Sequence, residues 1–199
     1  MIIDEILKKP RLVQSYYYSI NLLITIKSAE RLYEQGSKVC IQGFDKIKWE
    51  FYPFEIKFKQ ECESGAELIV FEAEKESEVP IKFRLVTSYR PLKLGVDIIK
   101  IEKIQQNLYR TSIDGNLFMF RIFNGEIKEE NLSSEDNEIL SLVREYGEIP
   151  LKDLVNIISG KTSSSKDHIR KELFFLKEVG LIEIENGIVS LNKYSRLKR

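Results

Sequence analysis

Four cations, Lys161, Lys166, Arg170 and Lys171, share one short stretch with a single acid, Asp167, so residues 161 to 171 carry a local charge of +3. Ser163 and Ser165 stand among them. Lys and Arg neutralise backbone phosphates, Arg also reads guanine edges, and Ser hydroxyls donate to phosphate oxygens. The chemistry open to this set is contact with duplex DNA. Lys193, Arg196, Lys198 and Arg199 near the end of the chain add further cations for phosphate contacts. Acid-base catalysis has less to work with. His168 is the only histidine and sits inside the basic stretch, away from any Ser, Cys and Asp set of a nucleophilic triad. No GxxxxGK[ST] or GxGxxG phosphate loop occurs. The pairs Glu129-Glu130 and Glu135-Asp136 read as linker and helix-cap charges. A non-catalytic protein without a cofactor or metal is expected.

The elements that must position these residues run from Ser133 to Leu191. Ser133 and Ser134 are N-caps, Glu135, Asp136 and Glu138 suit the positive end of a helix dipole, and Ile139, Leu140, Leu142, Val143 and Tyr146 form a stripe ended by Gly147. Pro150 opens a second helix whose Leu151, Leu154, Val155 and Ile158 repeat that spacing before Ser159-Gly160 ends it. A third runs from Ser164 to Val179, with Ser164 and Asp167 at capping-box spacing. It sets Ile169, Leu173, Leu176 and Val179 on one side and Lys166, Arg170, Lys171 and Lys177 on the other. Alternating residues flank Asn186-Gly187, a strong hairpin signal.

This order resembles a winged helix-turn-helix domain, and the resemblance covers about the last third of the chain. It implies that the third helix enters the major groove and that the hairpin is a wing. Two features depart from it. Glu183 and Glu185 flank the wing tip, which has no Arg or Lys, and Phe174 falls on the outward side with Arg170. Exposed aromatics mark protein contacts, so Phe174 is a candidate interface residue and a protein-interaction or assembly role is the alternative. From Ser133 to Arg199 there are 11 basic and 11 acidic residues, so any DNA contact must be local.

Residues 1–130 carry no comparable motif. A short helix is expected over residues 2–9, before Pro10. Tyr16 to Lys27, rich in aromatic and β-branched residues, reads as a central strand, followed by a short helix from Ala29 to Gln35. Strands follow at Lys38 to Gly43, Lys46 to Glu61, Ala66 to Ala73, Ile81 to Ser88, Val96 to Lys103, Leu108 to Ile113 and Asn116 to Phe123. Asp114-Gly115 and Asn124-Gly125 supply the hairpin turns. The expected fold class is α+β, with a mainly antiparallel sheet over residues 1–130 joined at a short charged linker to a winged helix over residues 131–199. The element order loosely resembles START-like domains, which implies a curved sheet around a small apolar ligand. An OB-like barrel stacking single-stranded bases on Tyr16, Tyr17, Tyr18, Trp49, Phe51 and Tyr52 is the competing reading.

The 31 basic and 31 acidic residues cancel, which excludes a non-specific nucleic-acid coat. Abundant Lys, Glu and Ile match the bias of thermophile proteins. Cys40 and Cys62 lie 22 positions apart without a CxxC or paired His, which suggests inert thiols rather than a zinc site or a disulfide. No run of 18 apolar residues occurs and the first residues are acidic, so a cytoplasmic protein with no membrane partner is expected. Together these readings predict a homodimeric regulator of transcription that binds double-stranded DNA.

Overall fold

The computed structural model describes residues 1–192 and divides into two compact units, Met1–Glu130 and Asn131–Arg199. Among the described residues there are five α-helices and no helix long and apolar enough to cross a membrane.

The first unit is built on β1 (Arg11–Gln14), whose four residues are all buried. It follows α1 (Ile2–Ile6) and leads into α2 (Tyr18–Glu34). The remaining strands are β2 (Val39–Gln42), β3 (Glu67–Val70), β4 (Leu85–Ser88), β5 (Asp97–Gln105), β6 (Leu108–Ile113), β7 (Asn116–Phe123) and β8 (Glu126–Glu130). They form one sheet in the order β2-β3-β4-β1-β5-β6-β7-β8. β2, β3, β4, β1 and β5 run parallel, and β5 to β8 form an antiparallel meander.

The sheet is therefore mixed rather than mainly antiparallel, and the reason lies in α2. Residues expected as a central strand are a helix whose Ile20, Leu22, Leu23, Ile24, Ile26, Ala29 and Leu32 are buried. A helix apolar around most of its circumference loses the amphipathic signature, and its β-branched residues then mimic a strand. Its length carries the chain back from β1 to β2 at the far edge of the sheet, as a crossover between parallel strands of one sheet requires. The core made by α1, α2 and the sheet contains Ile6, Val13, Ile24, Ile69 and Phe120. On the other face Leu12, Val70, Val86 and Leu92 pack with Val79, Phe83, Leu94 and Val96.

Two other expectations change. Residues 46–61 are not a strand: Phe44–Lys46 and Trp49–Phe51 are single 3-10 turns, and Tyr52 is buried in the core, which removes the strand platform of the OB-like reading. Glu126–Glu130, expected as linker, is an edge strand whose charges suit an unpaired edge. The turns behave as their residues dictate, since Asp114, Gly115, Asn124 and Gly125 all take positive φ. Cys40 and Cys62 are joined in a disulfide with Cα atoms 4.7 Å apart, tying β2 to the segment before β3. The sequence separation said nothing of this proximity, which arises because residue 60 returns beside β2, pairing with Val39.

The second unit contains α3 (Ser134–Tyr146), β9 (Glu148–Pro150), α4 (Leu151–Thr162), α5 (Lys166–Glu178), β10 (Ile182–Glu185) and β11 (Ile188–Leu191). Its sheet has the order β10-β11-β9, with both pairings antiparallel. Ile139, Val143, Leu154, Ile158, Ile169, Leu173, Leu176, Ile182 and Val189 form its core.

Candidate nucleic-acid interface

The frame of the basic face is set by helix ends. Ser133 and Asp136 cap α3 reciprocally: Asp136 N donates to Ser133 Oγ at 2.9 Å, and Ser133 N donates to Asp136 Oδ2 at 2.9 Å. α5 is capped by Ser165, which accepts from His168 N at 3.2 Å. Ser164, expected as that cap, instead donates its hydroxyl to Glu135. Its spacing to Asp167 was right for a cap, but the turn places Ser163 in the left-handed region and starts the helix one residue later. Gly160 does not stop α4, which runs on to Thr162.

α5 buries Ile169, Leu173 and Leu176 and exposes Lys166, Arg170, Lys171 and Lys177, as the spacing dictated. Phe174 is 62% exposed on that helix. Leu151, Lys152, Val155 and Asn156 of α4 meet Lys166 and Arg170 of α5 around a shallow cleft of about 210 Å³. Lys152 and Asn156 were not legible as site residues, because Lys152 lies outside the basic stretch of residues 161 to 171 and Asn156 is polar without being charged; only helix packing brings them to the patch.

The charges differ in availability. Lys161 pairs with Glu138 of α3 at 2.7 Å, and that hydrogen bond holds its ammonium above the usual lysine range. Arg170 pairs with Asp167 at 2.6 Å. Both pairs are exposed, so they exchange for phosphate at small cost. Among the described residues, Lys152, Lys166 and Lys171 make no ion pair. Ser163 and Ser165 are exposed beside them. Lys193 and Arg196 lie outside the described residues.

His168 is structural in its contacts. Its Nε2 lies 2.8 Å from Glu135 Oε2 and its Nδ1 3.8 Å from Glu172 Oε1, linking the starts of α3 and α5. The Ser164 hydroxyl, and then His168, draw Glu135 below the usual carboxylate range. Burial and the neighbouring Asp136 push Glu172 up. Among the described residues no group of three His, Cys, Asp or Glu side chains is placed to hold a metal ion. The hairpin β10-β11 turns at Asn186-Gly187, both at positive φ, with Glu185 exposed at its tip.

Comparison with family models, curated proteins and solved structures finds no match for this chain.

Proposed function

We propose that this chain is a DNA-binding transcriptional regulator, with residues 131–199 as a winged helix-turn-helix domain and residues 1–130 as a sensing or dimerisation domain. The observation that carries the reading is the cleft between α4 and α5, where Lys152, Asn156, Lys166 and Arg170 converge at the start of the helix that would enter the major groove. The element order α3-β9-α4-α5-β10-β11 supports it, since the third helix is followed directly by a hairpin. Phosphate neutralisation by Lys152, Lys166 and Lys171 supplies affinity, and Arg170 and Asn156 are the side chains suited to base edges. A homodimer doubles this patch and sets half-site spacing. Replacement of Lys166, Arg170 and Lys171 together by Ala is expected to abolish duplex binding in gel shifts and to flatten its salt dependence. Unchanged binding by that variant overturns the role of α5.

Phe174, exposed at 62%, favours a second reading in which this unit docks a protein and the chain is a non-catalytic assembly subunit. In that case Phe174→Asp removes a co-purifying partner, and wild-type protein shifts no genomic DNA fragment.

A further inference from the structure

A buried polar pair in residues 1–130, Asn21 and Glu72, lies outside the proposed DNA-binding face. β1, β3 and β4 run parallel, so their carboxyl ends, followed by Ser15, Glu72 and Tyr89, lie on one edge of the sheet. In sheets of this kind the space beyond that edge, where a helix begins and the loops diverge, is where ligands bind. α2 starts there, with Tyr17 at its N-cap position and no side chain capping it.

Asn21, in α2, is fully buried and donates from Nδ2 to Ser15 O at 2.9 Å and to Glu72 Oε1 at 2.7 Å, while its Oδ1 has no partner. Glu72 is 8% exposed and holds φ at 50°. Among the described residues its carboxylate makes no salt bridge; Lys46 Nζ reaches its main-chain oxygen at 3.4 Å and favours the ionised carboxylate from there, and the Tyr89 backbone N–H donates to that carboxylate. A buried carboxylate without a salt bridge, an open amide acceptor and a left-handed backbone each disfavour folding. Apolar side chains of similar volume would serve packing better. The place offers acceptors to a group that donates. At the rim Tyr17 is 41% exposed, and Lys103 Nζ lies 5.5 Å from its ring centroid. Lys103 and the uncapped start of α2 both favour an anion there.

We propose that this edge binds a small molecule with two groups: an amine that donates to Glu72 and Asn21, and an anion held at the start of α2 beside Lys103. Amino acids and aminopurine mononucleotides share this chemistry. As an effector site it rests on the regulator reading, but binding itself does not.

Titration calorimetry on the full chain, with the twenty α-amino acids in one arm and adenine and guanine mononucleotides in the other, distinguishes the two sources. One arm is expected to give saturable binding and to shift the side-chain amide signal of Asn21 in ¹⁵N spectra. Glu72→Gln and the exposed-site variant Lys103→Ala should each weaken binding about tenfold or more. Lys103→Ala cannot act by unfolding the core, so it keeps the test decisive if Glu72→Gln folds poorly. No saturable binding in either arm, or binding that folded Glu72→Gln and Lys103→Ala both leave unchanged, overturns the proposal. Duplex binding is measured on the same protein without ligand. Loss of one activity therefore leaves the other standing.

Discussion

The Asn21 side-chain amide donates to the Glu72 carboxylate at 2.7 Å across 51 positions of sequence, joining the start of α2 to the residues that follow β3. Two polar residues thereby meet inside the unit where apolar contact would be cheaper. Thr25 and Ser28 continue the buried polar seam along α2, with Thr25 Oγ1 3.3 Å from Thr87 Oγ1 of β4.

Burial raises the Glu72 carboxyl above its usual value of 4.5, against the opposing donation by Asn21. The folded state therefore holds this proton more tightly than the unfolded chain. The favourable contribution is complete below the unfolded value and is lost as pH rises through the folded one. Glu72→Gln should remove that loss, stabilising the protein at neutral pH and leaving its stability nearly unchanged at about pH 4. Thermal melts across that range check this; a neutral-pH melting temperature at or below wild type contradicts it.

Lys152 belongs to the basic cleft only through helix packing. Lys152→Ala should weaken duplex binding similarly on all sequences and lower the salt slope by about one. Glu138→Gln, which frees Lys161 from its ion pair, should act in the opposite direction and tighten binding. Fluorescence anisotropy over a salt series separates both from a change in sequence preference.

The Cys40–Cys62 disulfide closes a loop with a sequence separation of 22. Loop-closure entropy for that length predicts a loss of about 3 kcal/mol on reduction. Urea unfolding with and without reductant measures it, and coincident curves would show that the crosslink leaves stability unchanged.

Ser165 rather than Ser164 caps α5. Ser165→Ala should cost about 1 kcal/mol, with Ser165→Gly costing only a few tenths. Ser164→Ala removes the hydrogen bond to the Glu135 carboxylate rather than a cap, so its cost, unlike that of Ser165→Ala, should shrink in acid as Glu135 is protonated. Urea unfolding at neutral and acid pH checks this; a Ser164→Ala loss that stays constant in acid would return the cap to Ser164.

The helices and hairpin between Ser133 and Leu191 were legible because their signals are local. Leu154, Ile158, Ile169, Leu173 and Leu176 repeat at helical spacing and are buried together, and Asn186-Gly187 is a turn by its own backbone preference. The hairpins at Asp114-Gly115 and Asn124-Gly125 were readable on the same ground. α2 was not, because a helix buried on most sides shows no periodicity to distinguish it from a strand.

Sequence alone thus determined the elements whose pattern or turn chemistry is complete within a few neighbouring residues, together with the exposed basic side of α5. Tertiary structure decided the parallel half of the sheet, the Cys40–Cys62 disulfide, the addition of Lys152 and Asn156 to the basic cleft, and the meeting of Asn21 with Glu72. Each of these depends on which segments pack side by side. That choice is made by burial summed over the whole core, and no short stretch of residues encodes it.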